Sequence, residues 1–234
     1  MKRTWLLLMC LGAILAAWPL YAAESNEAER LRESAKILDE TMNVPEKAMP
    51  AAILEKAEAI VVCPSVIKGG LGIGAQHGRC VMSARNREAG AWSQPAFLSL
   101  TGGSFGAQIG AQAVDLILVV MNRRGLENLL KNEFKVGADA SVAAGPVGRG
   151  AEAATDIQFR AEILSYSRAR GLFAGVTLNG SVIKEDEDAN RRFYGRPVSN
   201  RDLIDQGPRP VGTAGSETTD AVNVWHRTLA KYAK

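Results

Sequence analysis

The sequence predicts an α+β fold: a strongly curved, glycine-rich antiparallel sheet with N-terminal helices and C-terminal helices packed on it. Two observations carry that prediction. Apolar residues recur at helical spacing before residue 60 and again after residue 186, whereas the stretch from about 60 to 180 follows a period of two. That middle stretch also holds glycine within its strand-like runs, at Gly102, Gly103, Gly106, Gly110, Gly137, Gly171 and Gly175. Glycine weakens a strand unless the chain must bend or another backbone must approach closely, so their number points to curvature.

The chain opens on a segment of another kind. Lys2 and Arg3 precede an apolar block from Trp5 to Trp18, followed by Pro19 and the small residues Ala22 and Ala23. This is the pattern of a secretory signal peptide, with cleavage expected near Ala22 or Ala23. The block falls short of the roughly 20 apolar residues of a membrane-spanning helix. Cys10 has Met9 before it and most of the apolar block after it, so it is read as part of the discarded leader and not as an acylation site. Removing residues 1–23 leaves 211 residues, a single domain over 24–234. Two of the 28 basic residues leave with the leader and none of the 25 acidic ones, so the expected mature charge is +1. A near-neutral chain is not a general nucleic-acid binder, and any attraction for anions must come from a local patch. The expected location is the periplasm or cell envelope, with peripheral association at a membrane surface. The apolar run 114–121 is short and carries Asp115.

Cys63 and Cys80 remain after cleavage. In an oxidising compartment they fit a disulfide, and equally they fit two small core residues on strands. Two cysteines with the distant His77 and His226 give no metal-ligand spacing, so no metal and no cofactor are expected.

Residues 25–42 place Ala28, Leu31, Ala35, Leu38 and Met42 on one helical face. Asn43-Val-Pro45 breaks that helix, and a second is expected over 46–59. Residues 60–63 read as a short buried strand ending at Pro64, and 71–75 with 79–84 as a hairpin turning at Gln76-His77-Gly78. Residues 96–100 form another strand. The run 104–121 is too long for one ordinary strand, so a bend is expected near Gln112-Ala113. A short helix over 126–132 precedes a half-buried strand over 134–142 and a loop over 145–150. Strands 157–166 and 172–178 pair antiparallel through the turn 167–171. The tail is mostly helical, over 186–194, 200–205 and 216–233, with a Gly/Pro-rich linker at 207–215. No internal repeat is apparent.

Three short motifs resemble active-site signatures and are set aside on context. Gly70-Leu-Gly72-Ile-Gly-Ala75 matches a dinucleotide fingerprint, which requires a following helix where a strand pattern stands instead. Gly102-Gly-Ser104-Phe-Gly106 matches a nucleophile elbow, which requires strand–turn–helix, while period two persists beyond it. A Ser104-dependent esterase is therefore the enzymatic alternative and not the main reading. Glu185-Asp-Glu-Asp188 lacks the spacing and central glycine of a calcium loop and reads as the solvated start of a helix.

Five stretches taken together, "AIVVCPSVIKGGLGIGAQHGRC" (59–80), "GGSFGAQIGAQAVDLILVVMN" (102–122), "FKVGADASVAAGPVGR" (134–149), "SYSRARGLFAGVTLNG" (165–180) and "ANRRFYG" (189–195), resemble the SYLF domain. This is a lipid-binding domain shared by exported bacterial proteins and by actin-patch proteins of fungi and animals. The resemblance implies a non-enzymatic domain that binds phospholipid headgroups, phosphoinositides in its eukaryotic members, and in some cases actin. The eukaryotic proteins use a basic amphipathic N-terminal helix for lipid. Here Glu24, Glu27, Glu29 and Glu33 outnumber Arg30 and Arg32, so the expectation carried over is anionic-phospholipid binding in general. The alternative is an envelope structural or stress protein whose partner is another protein. The expected headgroup residues are Lys68, Arg168, Arg170 and Lys184, which lie in or beside glycine-bearing turns where backbone N–H groups also face phosphate oxygens.

Overall fold

The computed structural model describes residues 26–43, 49–86, 88–148, 161–169, 172–176, 178, 180–205 and 216–233, with the backbone alone at 71–73 and 104–110. The expected leader, the linker 207–215, Gly171 and Arg170 lie outside the described residues.

Helix α1 (Asn26–Met42) buries Ala28, Leu31, Ala35 and Leu38, the face its spacing predicts. Helix α2 (Ala51–Lys56) is shorter than expected, because Ala57 turns extended (φ −61°, ψ 133°) and leads the chain into the sheet. Strand β1 (Ala59–Asn86) is one continuous strand where a short strand and a hairpin were expected. β2 (Ala91–Trp92) pairs with its end, and β3 (Ala96–Val120) likewise merges two expected strands. Gln76-His77-Gly78 does not turn; it stays extended opposite Gly102, Thr101 and Leu100. Pro64 does not end the strand, because it falls in a bulge where the register skips between Cys63 and Val66. Ser65 takes φ 50° there, and its N–H donates to Asp115 Oδ1 at 3.0 Å. Gln112 and Ala113, where a bend was expected, pair regularly with Lys68 and Ile67; the second irregularity lies between Leu71 and Ile73.

The β1–β3 ribbon doubles over on itself. Cys63 and Cys80 are separated by 17 residues of one strand, which would span about 56 Å if straight. Their Cα atoms are instead 4.0 Å apart and joined by a disulfide, and both residues are fully buried. The two cysteines are bridged and buried together, so the two readings open at the sequence level do not exclude each other. Gly78 meets Val66 at the same crossing, where a β-carbon at 78 would lie 2.6 Å from Val66 Cγ2.

Helix α3 (Arg123–Leu129) starts three residues before its expected position because Asn122 caps it, accepting from Gly125 N at 2.9 Å. The half-buried strand expected over 134–142 is split into β4 (Glu133–Lys135) and β5 (Val142–Ala144) by a turn in which Gly137 takes φ 86°. β6 (Ile163–Ala169) and β7 (Leu172–Gly175) pair antiparallel, with Tyr166 opposite Gly175. β8 (Ser181–Glu185) is a strand the sequence reading did not assign. Helices α4 (Glu187–Tyr194), α5 (Asn200–Asp205) and α6 (Ser216–Tyr232) follow closely the expected positions.

The C-terminal half of β3 pairs with β6, which carries β7 and, in parallel, β5; its N-terminal half pairs with β8, which carries β4. The resulting eight-stranded sheet curls into a half-barrel, with α1 packed on β1 and α6 on α1. Trp225 of α6 is fully buried and donates Nε1–H to Ser83 Oγ of β1 at 2.9 Å.

The motif residues around 165–175 serve this packing. The Ser165 hydroxyl, buried in β6, lies within hydrogen-bond reach of the carbonyls of Ala143 and Val176 on either side, and its single proton donates to one of them at a time. Tyr166 stacks on Phe173 with ring centroids 5.2 Å apart and planes 7° from parallel. Its hydroxyl is buried without a hydrogen-bond partner among the described residues, and burial pushes its pKa up. Asn190 of α4 and Asn200 of α5 close a buried polar cluster on β3: Asn190 Oδ1 accepts from Phe97 N (3.0 Å), Asn190 Nδ2 donates to Asn200 Oδ1 (2.7 Å) and Asn200 Nδ2 to Phe97 O (3.2 Å). Glu185, read in sequence as solvated, belongs to this cluster: it accepts from Asn200 N at 2.7 Å and from Asn190 Nδ2 at 3.2 Å, and burial raises its pKa. Asp186 is the helix cap, accepting from Ala189 N at 3.0 Å.

Candidate anion-binding face

Of the expected headgroup residues, Lys68, Arg168 and Lys184 stand on three different strands, and Arg170 lies outside the described residues. Lys68 is half-buried on β1 opposite Gln112, and burial pushes its ammonium pKa down. Arg168 is committed to carboxylates: Nε and Nη2 contact Asp115 Oδ2 at 2.9 and 2.8 Å, and Nη1 contacts Glu40 of α1. Burial opposes the Arg168 cation, but the hydrogen bonds to Glu40 and Asp115 outweigh it and hold the proton more firmly. This arginine fastens α1 to the sheet. Lys184 lies on β8 opposite Ser99 of β3.

Around Lys184 the strand register builds a different surface. Arg79, Ser99, Lys184 and Glu133 occupy one rung across β1, β3, β8 and β4. Two residues along, His77, Thr101, Val182 and Lys135 occupy the next. Residues across a rung share a face, as do residues two apart in a strand. The outer face of these four strands thus presents Arg79, Lys184, Lys135 and His77, all exposed. The alternating residues Leu98, Leu100, Phe134 and Ile183 are buried in the core. Glu133 is the one acid within the two rungs. It lies 2.9 Å from Lys184 Nζ and 3.8 Å from Lys135 Nζ, and its pKa is lowered by the hydrogen bond from Lys184. A single carboxylate shared by two ammonium groups leaves the face cationic.

At the α1 edge of this face, a 290 Å³ cleft is lined by Asn26, Glu29, Arg30, Glu33, Pro64 and Arg79. Arg30 is almost fully buried, its guanidinium over the Phe97 ring at 5.2 Å and 3.7 Å from Asp186, and burial lowers its pKa. The carboxyl of Glu33 is raised, first by burial and then by Asp115 and Glu29. The cleft is therefore mixed in charge, in contrast to the open sheet face beside it.

Arg79, His77 and Lys135 were missed in the sequence. Each is a polar residue in an alternating run, which signals an outward position, but only the register places the four strands side by side. The motifs set aside on context do lack their required geometry. β3 continues unbroken through Ser104, with Gly74 opposite it, and β1 continues unbroken through 70–75, so neither is followed by a helix. His226 Nε2 is bound to the Ser93 carbonyl at 2.9 Å. Among the described residues no three His, Cys, Asp or Glu side chains gather as metal ligands, and no helix is long and apolar enough to cross a membrane.

Comparison with known proteins decides the family. Residues 101–231 match the family described as Ysc84, the Las17-binding protein actin regulators. The chain belongs to the Ysc84, or SYLF-domain, family. It is 34% identical over 194 residues to the human SH3 domain-containing YSC84-like protein 1, a span covering 80% of this chain and 56% of that protein. The Xenopus laevis protein of the same name is 35% identical over 178 residues, covering 74% of this chain and 52% of the relative. LAS seventeen-binding protein 3 of Saccharomyces cerevisiae is 30% identical over 168 residues, covering 70% of this chain and 36% of the yeast protein. The chain thus spans about half the length of the first of these relatives. The human and Xenopus names describe SH3 domain-containing proteins, and the yeast name describes a binding protein.

Proposed function

We propose that this SYLF-domain protein is a non-enzymatic binding module of the cell envelope that attaches peripherally to membranes through anionic phospholipid headgroups. The observation that carries the reading is the four-stranded outer face on which Arg79, Lys184, Lys135 and His77 stand together with Glu133 as their acid. A cationic face on a chain of nearly neutral charge concentrates attraction for an anionic surface where it is used. Each basic residue near such a surface contributes about 1 kcal/mol, decaying within a Debye length. Three give about 3 kcal/mol, an affinity only in the millimolar range. The face therefore orients and recruits, and tighter attachment needs headgroup hydrogen bonds or apolar insertion. On this reading the expected N-terminal leader would carry the protein to the periplasm or an envelope membrane, where the face would act.

Co-sedimentation with phosphatidylglycerol, cardiolipin and phosphatidylcholine vesicles at low and high salt tests the reading. The expected result is pelleting with the two anionic lipids, weakened by salt. No pelleting, or equal pelleting with phosphatidylcholine, contradicts it. The name of the yeast relative supports a second reading, in which the same face takes an acidic protein partner.

A further inference from the structure

The cleft between α1 and β1 holds opposite charges that do not pair with each other. α1 contributes two stripes, Asn26 with Arg30 and Glu29 with Glu33, each pair four residues apart and so on one side of the helix. β1 contributes Pro64 and Arg79, the residues beside Cys63 and Cys80, so the buried bridge fixes this wall. Two guanidinium and two carboxylate groups therefore share 290 Å³. Among the described residues the side chains of Glu29, Glu33 and Arg79 form no hydrogen bond or ion pair, and all three are exposed. Opposite charges that share a cleft without pairing stay available to a ligand.

The two signs are also sorted. Arg30 is the floor, 6% exposed, and both its terminal nitrogens are buried without a hydrogen-bond partner among the described residues. Its charge is answered by Asp186 at 3.7 Å and by Glu27, whose carboxylate is bound to Arg192. Arg79 and Arg192 act on it as like charges. Glu33 instead meets Asp115 and Glu29 as like charges, and the cations acting on it, Lys36 and Arg168, are both bound to Glu40. One side of the cleft gathers cations and the other carboxylates.

We propose that this cleft binds an amino-phosphate, a phosphate ester carrying a primary ammonium two carbons away, as in a phosphoethanolamine headgroup. Arg79 donates to the phosphate from the rim while Arg30 places a fixed positive charge beneath it, and Glu29 and Glu33 accept from the ammonium. Guanidinium groups match the several acceptor oxygens of a phosphate. Arg30 and Glu33 are three residues apart, about 4.5 Å of helix rise, a span comparable to a two-carbon bridge between phosphate and amine. The volume lies at the small end of ligand pockets and suits a headgroup. Quaternary ammonium groups are held by aromatic faces, and none of the described lining residues is aromatic, so the cleft selects a primary amine that donates hydrogen bonds. A lipid headgroup and a free phosphate ester present the same groups. The inference does not need the lipid-binding reading, because a soluble ester fills the cleft as well.

Calorimetric titration of the full chain with glycerophosphoethanolamine tests it. Saturable binding at one site is expected, with glycerophosphocholine weaker by roughly tenfold or more, as for a site left with unpaired acceptors. Arg79→Gln and Glu33→Gln change exposed, unpaired side chains, so the fold is kept. Each is expected to weaken glycerophosphoethanolamine by roughly tenfold, the loss of one charge-assisted hydrogen bond. Inorganic phosphate separates them: Arg79→Gln loses its binding, whereas Glu33→Gln keeps it. Glu55→Gln, an exposed acid of α2 outside the cleft, should bind as the wild type does. Pelleting on phosphatidylcholine vesicles that appears only when phosphatidylethanolamine is added, and is lost in Glu33→Gln, assigns the cleft to a lipid headgroup. Binding of the soluble ester without such pelleting assigns it to a free amino-phosphate. No saturable binding, equal binding of glycerophosphocholine, tighter binding of β-alanine, or indifference to both variants overturns the proposal. Pelleting on phosphatidylglycerol without binding of the soluble ester overturns it too and leaves the lipid-binding reading standing.

Discussion

The backbones of Gly175 and Gly145 pack against each other without room for a side chain: a β-carbon at 175 would lie 2.2 Å from the Gly145 carbonyl oxygen. A β-carbon at 145 would in turn lie 1.9 Å from the Tyr166 ring. β5, β6 and β7 are held by these two absences together with the Ser165 hydroxyl, which lies within hydrogen-bond reach of carbonyls on both flanking segments. Gly175→Val is therefore expected to lower stability by about 1–3 kcal/mol or more, the usual range for overpacking, because the obstruction is backbone and cannot swing aside. Gly175→Ala should show a smaller loss of the same sign. Urea unfolding of the purified variants measures it, and an unchanged midpoint would show that the glycine is not packed.

The Cys63–Cys80 bridge closes a loop of 17 residues within one strand and is buried at the crossing of the ribbon. Loop-closure entropy for that length corresponds to about 3 kcal/mol. Cys63→Ala/Cys80→Ala is expected to unfold at correspondingly lower denaturant, and reductant should shift the wild type towards the double variant while leaving the variant unaffected. Coincident unfolding curves for wild type and variant would contradict the role given to the bridge.

His226 is half-buried with Nε2 held by the Ser93 carbonyl, so its N–H must donate there, and burial lowers its pKa. The folded protein therefore binds the second imidazole proton less readily than the unfolded chain, and stability rises with pH through this group. The contribution is fully present above the ordinary histidine pKa of about 6.5 and is lost as pH falls from there towards the lower folded value. Melting temperature is expected to fall between pH 7.5 and pH 5.5, and to fall less in His226→Gln, which keeps an N–H donor. Equal pH dependence in the two proteins would show that another group carries it.

The fold class was legible because the helical and strand periods are cleanly segregated and because glycine within strands has few uses other than bending and close approach. Helices α1, α5 and α6 follow their apolar spacing closely. The length of β1 and β3 was not legible. Pro64 and Gln76-His77-Gly78 carry the local chemistry of breaks, and only their long-range pairing with β3 keeps them extended. The split of β4 from β5 turned on Gly137, whose left-handed backbone cannot be distinguished in sequence from a glycine within a strand. Lys184 was legible as a basic residue beside a turn, but Arg79, His77 and Lys135 join it only through register across four strands. The carboxylate partners of Arg168 were not legible for a related reason, since Glu40 and Asp115 are 128 and 53 residues away.

The cationic sheet face is tested most directly by comparing two variants on phosphatidylglycerol vesicles at low salt. Arg79→Ser/Lys184→Ser removes two exposed cations from the face, whereas Arg168→Ala removes a cation already neutralised by two carboxylates. At about 1 kcal/mol for each basic residue, the double variant is expected to bind some 10- to 30-fold more weakly, with a shallower salt dependence. Arg168→Ala, assayed at a temperature where it remains folded, is expected to bind as the wild type does. Undiminished pelleting of the double variant, or loss of pelleting in Arg168→Ala alone, would contradict the assignment of lipid binding to this face.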